Sequence, residues 1–329
     1  MSDHNPQSPP GAAEERPQVQ WVRVDDTFAG QRLDNFLLAR MRGVPKSVIY
    51  RIIRKGEVRV NRGRAKPAQR IEIGDEVRIP PVKNSQKTGP AKAPPGTRVQ
   101  AMVEKAILHE TPDWLIVNKP AGLAVHGGSG LDFGLIEALR AGRPQAKFLE
   151  LVHRLDRDTS GLIMVAKKRS ALVALQNQIR HKQVNKVYHA LVAGEWPADL
   201  KRVDRPLLRV ETPSGERMVR VDEAGKESLT RFRVLESFRG YSLVEASPVT
   251  GRTHQIRVHT AASGHPIAGD SKYMDDASHN AFRKLGGSRL MLHAAALEVV
   301  PPGESEKRRF EAPAEPVFAK ILKILREQR

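Results

Sequence analysis

The chain has no cysteine. Disulfides, thiolate zinc centres and cysteine nucleophiles are therefore excluded. No run of about 18 apolar residues occurs, so no segment is expected to span a membrane. Met1 to Gln20 carries acids and prolines where a secretory leader would have a charged start and an apolar core, so it does not read as one. A cytoplasmic place of action is expected. No repeat of solenoid period is present, and no Gly-x-Ser-x-Gly elbow. None of the 11 histidines falls in the His-x-x-x-His spacing of a helical zinc site. Negative charge is also scarce: 37 Asp and Glu stand against 55 Lys and Arg, a net charge of +18. An excess of that size predicts a polyanionic partner, nucleic acid or an anionic surface.

The 329 residues allow two or three modest domains. Residues 1–20 are polar and proline-rich, with nothing to bury, and read as a disordered tail. Residues 21–80 form a first module. The stretch Gly30 to Leu38 opens a helix whose apolar residues recur at helical spacing, and Pro45 sits at the start of a second, Lys46 to Lys55, where its missing N–H is harmless. Gly56 ends that helix. At 100° per residue Val48, Ile49, Ile52 and Ile53 share one side, and Lys46, Tyr50, Arg51, Arg54 and Lys55 the other. Strands are expected at Glu57 to Asn61 and Glu72 to Ile79, around a basic turn holding Arg62, Arg64 and Lys66. From Trp21 to Pro80 there are 14 basic and 7 acidic residues, with the basic ones clustered. That clustering, with Tyr50 among it, predicts RNA binding through backbone contacts; a solvated helix face is the plain alternative. Residues 81–100, rich in Pro, Gly, Lys and Ser, read as a flexible linker.

Residues 101–329 form the second domain, with many strands and few helices. The pattern predicts an α+β fold with a mixed, mostly antiparallel sheet. Strands are expected at Trp114 to Lys119, Lys186 to Ala193, Leu229 to Leu235, Tyr241 to Ala246 and Thr253 to Val258. Helices are expected at Leu135 to Ala141, Ser170 to His181 and Val317 to Leu325. Glycines 127, 128 and 130 lack the spacing of a nucleotide-binding loop. Apolar runs Phe148 to Val152 and Leu162 to Ala166 flank a charged loop holding Arg154, Asp156, Arg157 and Asp158. Strand, charged loop and strand is where scaffolds place chemistry, although a solvated turn with local ion pairs would read the same. Asp156 and Asp158 could ligate a metal, but Arg154 and Arg157 flank them directly. A carboxylate between guanidiniums is stabilised as the anion, which suits a nucleophile or electrostatic stabiliser better than a general acid. His153, His254, His259 and His293 read as hydrogen-bonded groups of the core or of the residues packed around a site.

Several motifs then become recognisable in order. Residues 32–34 and 56–61, with the helix pair, resemble the αL RNA-binding module of a small-subunit ribosomal protein and of several RNA-modifying enzymes. Asn118-Lys119-Pro120, His153-Arg154-Leu155-Asp156, Lys186-x-Tyr188 and Gly251-Arg252-Thr253-His254-Gln255-Ile256-Arg257 closely resemble the pseudouridine synthases of ribosomal RNA. Gly43 to Ser47, Ala124 to Gly130 and Glu150 to His153 are most similar to the members acting on large-subunit (23S) ribosomal RNA. The resemblance implies that Asp156 is the catalytic aspartate, acting at C1′ or C2′ of the target uridine. It implies that Arg257 pairs with Asp156, that Tyr188 stacks on the base and helps in the late proton transfer from C5, and that Arg154 fills the gap left by a flipped nucleotide. It implies no metal or organic cofactor, ribosomal RNA as partner, and a monomer. Asp158 is expected to be a local ion-pair partner. Two other readings remain on the residues alone: a non-catalytic ribosomal RNA binder, and an RNA N-glycosidase or metal-dependent nuclease.

Overall fold

The computed structural model describes residues 18–25, 28–41, 44–82, 96–127, 133–212 and 216–328. They fall in two compact units, within 1–91 and 92–329. Most of the expected tail (1–17) and linker (83–95) lies outside the described residues.

In the first unit, strand β1 (Gln20–Arg23) precedes helices α1 (Leu33–Arg40) and α2 (Lys46–Arg54), then β2 (Arg59–Val60), β3 (Gly63–Arg64) and β4 (Glu76–Ile79). The strands form one antiparallel sheet in the order β1-β4-β2-β3. Strand alternation sends Val22, Val77 and Val60 inward, where they meet Leu33, Phe36 and Leu37 of α1 and Ile49, Ile52 and Ile53 of α2. The amphipathic division of α2 is as expected. Its strands differ: β2 and β4 are shorter than the patterns suggested, and part of the basic turn is itself strand β3. The cause is local, since Asn61 and Arg62 both adopt positive φ (50° and 65°) and close a two-residue hairpin whose twist matches the flanking strands.

The second unit begins with α3 (Thr97–Lys105), so residues 97–100, read as linker, are helical. Then follow β5 (Ile107–Glu110), β6 (Trp114–Lys119), α4 (Leu135–Gly142), β7 (Glu150–Leu151), β8 (Ser160–Ala166), α5 (Arg169–Arg180) and β9 (Asn185–Ala193). Next come β10 (Arg202–Asp204), β11 (Leu207–Glu211), β12 (Arg217–Val221), β13 (Leu229–Phe238), β14 (Tyr241–Pro248) and α6 (Gln255–Ala262). The chain closes with α7 (Asp276–Lys284), β15 (Leu292–Val299), β16 (Arg308–Glu311) and α8 (Pro316–Glu327). The large sheet runs β10-β13-β14-β9-β15-β8-β6-β5, with β16 beside β15 and β7 beside β8. β15 and β8 pair in parallel; the other pairings are antiparallel. A mixed, mostly antiparallel α+β sheet is therefore present. Near β6 and β8 it is covered on both faces: α4 packs on Leu115, Val117, Ile163 and Val165, and α5 on Ile116 and Met164. Strands buried on both faces lose alternation and read as continuous apolar runs, as β8 does.

Thr253 to Val258 is not a strand. His254 takes a left-handed conformation (φ 53°) and α6 starts after it. Residues 255–260 are all buried, its polar Gln255, Arg257, His259 and Thr260 included, so polar and apolar residues do not sort onto two faces and no helical period shows. Its β-branched Ile256 and Val258 then mimic a strand.

Candidate active site

Sheet register brings the site together. The loop 152–159 links β7 to β8, and at the start of β8 Gly161 pairs with Ala294, which in turn pairs with Tyr188 of β9. Gly161 has φ +108°, and a Cβ there would lie 2.3 Å from the carbonyl oxygen of Ala294. Only glycine permits this approach, so the charged loop is held one strand away from Tyr188. Asp156, Tyr188, Arg257, His254 and Arg154 line one cavity of about 290 Å³. The residues singled out in the charged loop and around Thr250 to His259 therefore converge, from positions far apart in sequence.

Arg257 donates from Nη1 to Asp156 Oδ2 at 3.4 Å. Its firmer partner was not foreseen. Nε and Nη2 each donate to a carboxylate oxygen of Asp270 at 2.7 Å, a bidentate fork with a side chain that is 0% exposed. Asp270 also accepts from the Lys272 amide at 3.0 Å. Burial works against the guanidinium's charge, but the hydrogen bonds and charge of Asp270, with the charge of Asp156, more than offset it and raise the pKa above its ordinary value. Arg257 is thus a fixed cation behind Asp156. Gly269 (φ +75°) makes the turn possible, since a Cβ there would meet the Arg289 carbonyl oxygen at 2.1 Å. The available signal was an acid one glycine beyond an apolar pair, in Ile267-Ala268-Gly269-Asp270.

His254 Nε2 lies 3.8 Å from Asp156 Oδ2. Its Nδ1 is 2.8 Å from the Tyr273 hydroxyl, which accepts the Val219 amide at 3.1 Å. The hydroxyl proton is therefore free to go to Nδ1, leaving the ring proton on Nε2, toward Asp156. Burial lowers the His254 pKa against the opposing charge of Asp156. Burial likewise pushes the Tyr273 phenol up to about 12. The Tyr188 phenol is raised by burial and then by Asp156, so it stays protonated. His153 is pushed down to about 3 by burial and then by Lys186; its Nε2 accepts the Met164 amide at 3.2 Å. His259 and His293 bond to Thr230 and Ser160 at 2.9 Å. His259 and His293 are hydrogen-bonded core groups, and His153 and His254 are hydrogen-bonded groups that line the cavity.

One expectation about the loop changes, while the pairing of Arg257 with Asp156 that the resemblance implied is present. Neither Arg154 nor Arg157 is the cation beside Asp156: Arg154 is exposed at the cavity, and Arg157 pairs with Asp158 at 3.0 Å, as the local role of Asp158 required. Adjacent residues in a tight loop point apart, so the partner comes from α6. Lys119 has a role the sequence did not show. It is 0% exposed, and its Nζ donates to the carbonyls of Pro120, Leu123 and Arg157 at 2.9, 2.8 and 2.9 Å. Burial brings its pKa down to about 7, while the three carbonyls use all three N–H groups of the ammonium. Lys119 thus bolts the loop to the end of β6. Lys119→Met is expected to lower stability by roughly 1–3 kcal/mol per carbonyl left without a donor and to slow turnover by loosening Asp156. Urea midpoints and single-turnover rates check both effects; a parent-like rate in a destabilised protein would separate them.

In the first unit Lys46, Arg51, Arg54, Lys55, Arg62 and Arg64 are exposed. Tyr50 is tied down, its hydroxyl donating to Asp34 at 2.8 Å beside the Arg32 fork at 2.6 and 3.1 Å. Among the described residues no group of three or more metal-ligating side chains forms, and no helix is long and apolar enough to cross a membrane.

Comparison with known proteins agrees with this geometry. Residues 113–262 match the RNA pseudouridylate synthase family, and residues 31–77 the S4 domain. The ribosomal large subunit pseudouridine synthase C of Pasteurella multocida is 55% identical over 313 residues, covering 94% of this chain and 95% of that one. Its namesake in Escherichia coli K12 is 53% identical over 317 residues, covering 96% and 99%. Among solved structures, human RNA pseudouridylate synthase domain containing 4 aligns with a TM-score of 0.58 at 28% identity, covering 70% of this chain and 96% of that one. With likeness of this extent across both units, the chain belongs to the RNA pseudouridine synthases, isomerases of RNA, and carries an N-terminal S4 domain.

Proposed function

We propose that the chain isomerises uridines of large-subunit ribosomal RNA, with Asp156 as its catalytic carboxylate. The N1–C1′ bond of the target breaks, the uracil turns, and C5 joins C1′; the C5 proton then moves to solvent and N1 gains one. Atoms balance within the nucleotide and water, so the step needs no oxidant or co-reactant. Asp156 serves as nucleophile at C1′ or as base at C2′. Either role needs a positioned anion with water largely excluded. The observation that carries this reading is the Asp156–Arg257–Asp270 chain, of which Asp156 and Arg257 line one cavity with Tyr188. A uridine reaches that cavity by leaving its stack, and Arg154, exposed at the cavity, fills the vacancy. Lys46, Arg51, Arg54, Lys55, Arg62 and Arg64 supply backbone contacts, with Tyr50 beside them.

The test is tritium release from ribosomal RNA carrying label at uridine C5, with EDTA present. Release with intact strands is expected; strand cleavage, free uracil or no release would overturn the reading. Tyr188→Phe keeps the stacking ring and removes the hydroxyl. It is expected to bind RNA normally and to turn over at least about a hundredfold more slowly, the usual range of proton-transfer help. A parent-like rate would limit Tyr188 to stacking.

A further inference from the structure

The outward face of the four-stranded sheet carries a row of side chains that the uridine chemistry does not use. Trp21 of β1 stands opposite Arg78 of β4, Arg78 opposite Arg59 of β2, and Arg59 opposite Arg64 of β3. Directly opposed residues of antiparallel strands share a face. One tryptophan and three arginines therefore line up across the sheet, while Val22, Val77 and Val60 face the core. Three strand spacings of roughly 4.8 Å make the row about 14 Å wide.

The side chains are poised, not collapsed. Trp21 is 51% exposed, whereas Trp114 and Trp196 are 1% and 3% exposed. Each arginine is anchored by a backbone carbonyl: Arg78 on Glu57 at 2.6 Å, Arg59 on Arg62 at 3.1 Å and Arg64 on Arg54 at 3.3 Å. None of the three is paired with a carboxylate among the described residues. Neutral acceptors hold the guanidiniums in place and leave their charge uncompensated.

We propose that this row is a docking strip for single-stranded RNA, with a base stacked on Trp21 and phosphates on Arg78, Arg59 and Arg64. The planar guanidinium matches a phosphate in geometry and charge. An exposed indole takes the face of any base, and only an unpaired base offers that face. The strip meets the basic face of α2 at one end only, where Arg64 donates to the Arg54 carbonyl at 3.3 Å; Arg59, Arg78 and Trp21 extend it across the sheet to β1. The proposal rests on the chain acting on RNA, and it assigns the unpaired segment of that RNA to the sheet.

Two of the three tryptophans are buried, so acrylamide quenching of the intact protein reports on Trp21. Saturating oligouridylate is expected to protect it. Trp21→Ala should weaken oligouridylate binding about tenfold, and Trp21→Phe should retain most of the affinity. Replacing Arg59, Arg64 and Arg78 with glutamine should lower the slope of log affinity against log salt by about 2, at roughly 0.7 per phosphate contact. Circular dichroism confirms that each variant is folded. RNA bound with Trp21 as quenchable as before would overturn the strip. So would equal protection by polyglutamate, which would mark an acidic-protein surface. Variants in which Lys46, Arg51, Arg54 and Lys55 become glutamine keep the two readings apart. If they alone lose affinity, the strip falls and RNA binding stands; if the parent has no RNA affinity, both fall.

Discussion

Asp156→Asn is expected to abolish turnover, by roughly four orders of magnitude or more, while folding and RNA affinity stay near those of the parent. The side chain is 26% exposed and meets Arg257 at 3.4 Å, a contact at the long end of hydrogen bonding. Asparagine fills the same volume and can still accept that N–H, so little packing changes. What is lost is the negative charge, which both roles proposed for the residue require. Single-turnover tritium release and thermal unfolding, measured on one preparation, check the two halves. A rate within tenfold of the parent would remove Asp156 from the chemistry. A large fall in melting temperature would instead make the loss of activity structural.

Asp270→Ala is expected to be the most damaging single change to stability around the site. It strips a buried guanidinium of two 2.7 Å hydrogen bonds and leaves the charge uncompensated, which costs about 3–5 kcal/mol. The remaining partner, Asp156, is longer in reach and partly exposed, so it cannot hold Arg257 as firmly. Asp270→Asn keeps the shape and one acceptor, and should cost less. Its single-turnover rate is expected to fall about a hundredfold, with RNA affinity little changed, because Asp270 sits behind the arginine and not in the RNA path. Urea midpoints give the stability term and rate against RNA concentration the other. If Asp270→Asn matches the parent in rate, Arg257 keeps its position without the fork and the chain Asp156–Arg257–Asp270 is not a working unit.

The sequence carried the residue types of the site better than their partnerships. Asp156, Tyr188 and Arg257 could be named because their motifs are local, and the two strands around the charged loop announced themselves as apolar runs. The fork from Arg257 to Asp270 could not be read, because it depends on a glycine turn seated against the Arg289 carbonyl, a contact between distant segments. Lys119 was visible only as part of a motif; the acceptors on Pro120 and Leu123 are local, but the third, on Arg157, exists only once β6 and the 152–159 loop are adjacent. Arg154 and Arg157 misled for a related reason: nearness in sequence stood in for nearness in space. Helix α6 was misread because tertiary burial on all sides erased the amphipathic signal on which helix recognition depends. In the S4 unit the opposite held, since α2 is half-exposed and its period is plain.

At Val219 the β11–β12 hairpin reaches the site through a main-chain amide, which holds Tyr273 and, through it, His254. A backbone donor is indifferent to the side chain it carries, proline excepted. Outward side chains of β12 such as Arg220 can therefore be exchanged while the ring beside Asp156 keeps its tautomer, whereas Val219 itself packs in one cluster with Leu207, Val258 and Tyr273. The chemistry and the hairpin's outer sequence are separable parts, free to change at different rates, and Val219→Pro is the substitution that would couple them.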